Sequence, residues 1–172
     1  ELDFWDDEIV ESGKTLTTKR AETIQNLSKI SALVHAELAG NNQYLAIDYL
    51  PSIDIRGETS QDGLDKSFRN SLELNRSSDV SHGFTTRGPH RDDLQMLLNN
   101  MNTKMFASRG QCRTAVLAMK LAEAQYLKRH RGEEPILLLD DVLSELDPQR
   151  RTLLLNKVRE YQQCFITTAE TG

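Results

Sequence analysis

The sequence predicts an α/β fold: a parallel strand–helix–strand unit at the carboxyl end, preceded by a largely helical amino-terminal region. Three observations predict it. Ile136-Leu137-Leu138-Leu139 is an apolar run of strand length that ends on Asp140-Asp141. Asp147-Pro148 then pairs an N-capping residue with proline at the first helical position, opening a helix to about Tyr161. Gln163 to Thr168 supplies a second short strand, and strand–helix–strand in that order implies parallel pairing.

The remaining elements follow in order. Leu27, Ile30, Val34 and Leu38 repeat at three- and four-residue steps, so residues 3–39 read as helix, with Gly40-Asn41-Asn42 as its stop and Ser12-Gly13 as the natural place for a break. Such a helix would be about 50 Å long, more than a compact domain needs, which suits an arm or hairpin. Gln43 to Leu50 reads as a strand closed by Pro51, and residues 54–63, with Gly57 and Gly63, as a loop. Leu64, Phe68 and Leu72 form a short helical stripe, and Ser77 to Pro89 is polar and turn-rich. Leu94–Leu98, Asn99-Asn100 and Lys104–Ala107 suggest a hairpin. Gln111 to His130, rich in alanine and leucine without Gly or Pro, reads as helix.

Composition excludes several classes. With 38% hydrophobic and 27% charged residues the chain reads as globular, and no run approaches the length of a membrane span. A net charge of −5 excludes a uniformly basic nucleic-acid coat but leaves room for a local basic face. Charge is arranged in blocks. Residues 1–11 carry six acids and no base, which reads as a solvated face. Arg109 to Arg131 carries six bases against Glu123 alone, and Gly132 to Asp147 carries six acids, Glu145 among them, and no base. Cys112 and Cys164 lie far apart without a CxxC pair, and the four histidines form no ligand motif; the thiols read as reduced packing groups of a cytoplasmic protein, with a single long-range disulfide as the alternative. The chain opens Glu1-Leu2-Asp3-Phe4, with neither initiator Met nor signal segment, and so reads as a piece of something longer.

Gly13-Lys14-Thr15 imitates the end of a phosphate-binding loop, but Glu8 stands where that loop needs its first glycine, and a carboxylate there would repel phosphate. The chemistry lies elsewhere. A buried strand delivers its last side chains to the carboxyl edge of a parallel sheet, where ligands bind. Asp140 there can hold Mg²⁺ and Asp141 can accept a proton from attacking water. Ser108-Arg109-Gly110-Gln111 opens the alanine-rich helix, where free backbone N–H groups attract anions; Ser108 also serves equally well as a plain N-cap. Arg87, His90 and Arg91 form one cationic cluster and Lys128 to Arg131 another, the first with Asp92 and Asp93 close enough in sequence to neutralise it.

Three runs carry a family resemblance: Phe106 to Leu117 with Lys120-Leu121-Ala122-Glu123, Pro135 to Arg150, and Gly88-Pro89-His90-Arg91-Asp92-Asp93-Leu94. In that order they resemble the signature segment, the Walker B strand with its D-loop, and a third motif of bacterial RecF proteins; Trp5 and Arg20 sit in a helix similar to that family's lid. The resemblance implies part of an ABC-type ATPase head related to Rad50 and SMC proteins. Residues 1–80 would form the helical arm or lid, and residues 81–172 the carboxyl-terminal part of the head. It implies an ATP-dependent homodimer that acts with RecR and RecO on single-stranded and gapped DNA, helps load recombinase, and supports the SOS response. Asp140 would be the magnesium carboxylate and Asp141 the catalytic acid. Ser108, Arg109, Gly110 and Gln111 would meet ATP held by the other subunit, and Ser144 to Asp147 would line the dimer interface. Arg87, His90 and Arg91 would be candidates for DNA contact.

Departures from the family pattern qualify these roles. Arg109 replaces the first signature glycine, Cys112 stands where glutamine is expected, Asp141 replaces the usual glutamate, and Thr167-Thr168 lie where many relatives place a sensing histidine. The lysine-bearing phosphate loop should precede residue 1, so this chain alone is expected neither to bind ATP at millimolar strength nor to hydrolyse it. Two alternatives remain from the residues themselves: another SMC- or Rad50-like repair ATPase, or a non-catalytic interaction module for which the sheet is only scaffold. A metal nuclease would need a third acid at suitable spacing.

Overall fold

The computed structural model describes residues 2–39, 43–55, 60–144 and 146–169. The expected helix stop at 40–42, Gly57 and Glu145 lie outside the described residues. Along the chain run α1 (Leu2–Ala39), β1 (Leu45–Leu50), α2 (Gln61–His82), a 3-10 turn (Pro89–Arg91), β2 (Asp93–Leu98), β3 (Met101–Asn102), α3 (Thr103–Phe106), α4 (Arg109–Arg131), β4 (Leu137–Leu139), α5 (Pro148–Val158) and β5 (Cys164–Ile166). β1, β2 and β3 form one sheet in that order; β4 and β5 form a second, parallel pair with Leu137, Leu138 and Leu139 opposite Cys164, Phe165 and Ile166. The parallel pair with α5 between its strands is the predicted unit. No described helix is long and apolar enough to cross a membrane.

The chain packs as two units, residues 1–24 with 49–94 and residues 25–48 with 95–172, so each draws on both sides of residue 80. In the first unit the buried cluster is Val10, Ile53, Phe68 and Leu72, with Ile9 and Ile55 half-buried beside it. α1 is continuous over 38 residues, about 57 Å. The expected break at Ser12-Gly13 does not occur. Gly13 serves close packing instead: a Cβ there would lie 2.5 Å from Phe68 Cε1, so only hydrogen lets the ring of α2 settle on the backbone of α1. The acidic start of α1 is not merely solvated either. Arg76 pairs with Asp3 (3.0 Å) and with Asp6, Arg69 with Asp7 (2.6 Å), and Lys14, from the false phosphate loop, with Glu11 (2.9 Å) and Asp65 (3.0 Å).

α2 is longer than its apolar stripe predicts, because Ser77 to His82 continue the helix rather than turn. Ser60 Oγ caps its start by accepting from Gly63 N (3.0 Å), and Gly83, at φ +74°, ends it in the left-handed region. Asp79 Oδ1 accepts from the backbone N (2.9 Å) and hydroxyl (2.5 Å) of Thr86, tying the following loop to the helix end.

In the second unit the core joins Ile30, Val34 and Leu38 of α1 to Ala115, Ala118, Leu121 and Ala122 of α4, Leu154 and Val158 of α5, and Leu137 and Leu139 of β4. Asn99 and Asn100 take φ +51° and +64°, the conformation a two-residue hairpin turn needs. The hairpin's second arm is only two residues long. Asn102 Oδ1 accepts from Lys104 N (2.9 Å) and so starts the one-turn α3 where a strand over 104–107 was expected. β4 also departs from expectation: it is buried on one face only. Leu137 and Leu139 point into the core, whereas Ile136 and Leu138 are 58% and 72% exposed. The side chains of His35 and Ser31, one turn apart on α1, are fully buried, and burial is the main cause that lowers the His35 pKa.

Candidate nucleotide site and basic loop

β4 ends on Leu139, Asp140 follows directly, and the chain turns at once through Asp141, whose φ of +47° lies in the left-handed region that aspartate tolerates better than most residues. Thr167, just beyond β5, organises this corner. Its backbone N–H donates to Leu139 O (3.0 Å), extending the parallel ladder. Its hydroxyl donates to Asp140 Oδ1 and accepts from Asp141 N (3.0 Å). Ser144 Oγ donates to Asp141 O (2.9 Å), closing the turn. Both carboxylates are exposed, on a backbone held at both ends. Among the described residues no three His, Cys, Asp or Glu side chains gather to hold a metal. The exposed Asp140 and Asp141 carboxylates are the oxygen donors that this corner could offer a divalent cation.

The start of α4 is a complete capping box: Ser108 Oγ accepts from Gln111 N (3.3 Å), and Gln111 Oε1 accepts from Ser108 N (2.8 Å). The side chains of Ser108 and Gln111 are thus engaged with one another, and Arg109 is exposed. Arg150 links this turn to the segment after the carboxylates. Its Nη1 donates to Asp147 Oδ2 (3.0 Å) and would lie 3.4 Å from a Cβ on Gly110, so the guanidinium packs on the first turn of α4. Sequence reading missed Arg150; the usable signal was its three-residue spacing from Asp147 on a helix start. The basic and acidic blocks meet within the chain as well, where Lys128 pairs with Glu134 at 3.1 Å. Beside the corner, α4 and β4 bound an apolar cavity of about 580 Å³ that reaches Asp140.

Asp147 caps α5 as expected, accepting from Arg150 N at 2.9 Å. That backbone bond is the main reason its pKa is lowered. A folded-state value below the unfolded one (~3.9) means the carboxylate stabilises the fold above the unfolded pKa and loses that contribution as pH falls through the folded value. Acid titration of helicity is therefore expected to show a step below about pH 4 that Asp147→Asn lacks, since asparagine caps without titrating. Superimposable acid limbs for the two proteins would contradict this.

The third motif is a pinned loop. Asp92, with its side chain only 5% exposed, accepts from Arg20 Nη1 (3.1 Å), Ser52 N (2.8 Å) and the hydroxyl of Tyr49. Burial, with Asp92 beside it, raises the Tyr49 pKa. Gly88, at φ +136°, donates its N–H to Ser52 Oγ (2.9 Å). Asp92 is thus engaged away from the neighbouring cations. Arg87 is exposed and donates to Ser52 O (3.1 Å), exposed His90 donates through Nε2 to Thr85 O (2.8 Å), and Arg91 lies 4.8 Å over the Phe84 ring.

Comparison with known proteins gives a consistent result. The chain is 40% identical over 169 residues to the DNA replication and repair protein RecF of Acetivibrio thermocellus, covering 98% of this chain and 46% of that protein. It is 39% identical over 168 residues to RecF of Rippkaea orientalis (98% and 44%), and 40% identical over 169 residues to RecF of Natranaerobius thermophilus (95% and 44%). Two solved structures of the recombination mediator protein RecF of the RecFOR pathway, RecF-ATP and RecF-ATPrS, match at TM-scores of 0.84 and 0.85 with 31% identity. Each match covers 99% of this chain and 45% of the other. No family model matches. The chain spans less than half the length of the relatives it matches.

Proposed function

Because the chain belongs to the RecF family and has the fold of part of an ABC-type ATPase head, we propose that it supplies the signature and carboxylate portion of an ATP-dependent protein of DNA repair and replication. The observation that carries this is the corner at the end of β4, where one hydroxyl, that of Thr167, fixes both the Asp140 carboxylate and the Asp141 backbone. Asp140 would hold magnesium on bound ATP, and the ion would neutralise developing phosphate charge. Asp141 would accept the proton of the attacking water; its short reach suits slow hydrolysis, as in a switch. Ser108, Arg109, Gly110 and Gln111 would face ATP on the other subunit of a homodimer, with Ser144 and Asp147 along the interface. Residues 1–80 serve as arm or lid and 81–172 as head in this proposal, and the two packing units cut across that boundary. Arg87, His90 and Arg91 would hold DNA phosphates at single-strand gaps, in concert with RecR and RecO in the cytoplasm, to aid recombinase loading and SOS induction.

The basic α4 and the acidic segment 132–147 would oppose one another across the ATP interface. Self-association of the full-length protein driven by ATP and magnesium is therefore expected to weaken as salt rises, because charges of opposite sign are screened within about 10 Å at 0.1 M. Light scattering or sedimentation across a salt series reads this directly. A salt-independent dimer constant would overturn the charge-opposed interface.

A further inference from the structure

We propose that a groove in the first unit, between Trp5 on α1 and Phe84 just after α2, takes an unpaired base of single-stranded DNA. The proposal rests on the DNA-binding reading above and names a place for the base that the reading leaves open. The groove has a volume of about 390 Å³; Leu2, Trp5, Leu72, Val80 and Phe84 line it, together with the charged residues Asp6, Arg76 and Asp79. Trp5 and Phe84 are 61% and 51% exposed. Two large rings facing solvent along one apolar groove are the surface on which bases of any sequence stack.

Charge sorts base from phosphate. His82 to Arg91 holds two arginines and two histidines and no acid. Arg91 lies 4.8 Å over the Phe84 ring, and the His82 ring lies tilted 5.7 Å from it, so a cation that would meet phosphate, Arg91, is in contact with one wall of the groove. Among the charged lining residues the one cation, Arg76, is already paired with Asp3 and Asp6, so the groove itself offers phosphate no unshared cation, and its carboxylates are held by neighbours, Asp6 by Arg76 and Asp79 by Thr86. They can accept the N–H groups along a base edge. A base therefore lies in the groove with its backbone along the 84–91 segment.

Photocrosslinking of full-length wild-type protein to a single-stranded oligonucleotide carrying 5-iodouracil tests this without any variant. Crosslinks at Trp5 or Phe84 are expected, and crosslinks confined to other segments would overturn the proposal. In parallel, Trp5→Ala and Phe84→Ala are each expected to weaken single-strand affinity on the order of tenfold, with Trp5→Phe close to wild type. Both alanine variants within about twofold of wild type would also overturn it. Retained single-strand affinity with lost capture of RecR or RecO would assign the groove to protein, again against the proposal. Wild-type protein that binds no DNA at all would instead overturn the parent reading.

Discussion

Asp140→Asn in the full-length protein is expected to lower ATP hydrolysis on the order of 10²- to 10³-fold, with the fold unchanged. The substitution is nearly isosteric, and the asparagine oxygen can still accept from Thr167, so the link between the ends of β4 and β5 survives. What disappears is a negative charge at an exposed corner with no second ligand cluster among the described residues to replace it. If the strand–helix–strand unit were only scaffold for an interaction module, the same substitution would leave both hydrolysis and DNA repair in cells intact. Measured turnover within a few-fold of wild type, with normal thermal stability, would favour the module.

Phe68→Ala is expected to destabilise the first unit by about 3–5 kcal/mol. That unit buries few large side chains, Phe68 being the largest of a cluster with Val10, Ile53 and Leu72. Because whole-domain stabilities are roughly 5–15 kcal/mol, hydrogen exchange should show protection lost over residues 2–24 and 61–82. Persistence of protection there would contradict the packing. Gly13 sharpens the test. In a helix interior alanine normally stabilises relative to glycine by about 1 kcal/mol, yet overpacking costs about 1–3 kcal/mol. With Phe68 Cε1 2.5 Å from the added methyl, Gly13→Ala should destabilise wild type, and become neutral or stabilising once Phe68→Leu has removed the ring.

Where local chemistry decides structure, the sequence was legible. Asp147-Pro148 had to start a helix, Asn99-Asn100 had to turn, and the apolar run before Asp140 had to be a strand. Where a distant partner decides, it was not. Gly13 looked like a break because its neighbour Phe68 lies 55 residues away in sequence. Ser77 to His82 looked like turns because their composition is polar, whereas the helix needs only one buried stripe and a glycine at φ +74° to end it. Burial of β4 on one face reflects which elements cover it, which composition cannot report. At the site, the carboxylates and Ser108 were legible from their place in motifs. In the sequence Thr167 marks only a place where a sensing histidine is common, and Arg150 only the end of a motif; that they hold those motifs in shape shows when β5 meets β4 and α5 meets α4.

The most direct test of the central claim, that signature and carboxylates act from opposite subunits on one ATP, is a mixing experiment with two inactive full-length variants. Asp140→Asn leaves the signature intact, and Ser108→Arg leaves the carboxylates intact. Mixed dimers then contain one wholly intact site and one doubly damaged site. Equal mixing is expected to restore about a quarter of wild-type hydrolysis, since half of the two-fold dimers are mixed and each carries one working site of two. No activity above that of the separate variants, under conditions where subunits exchange, would contradict the account.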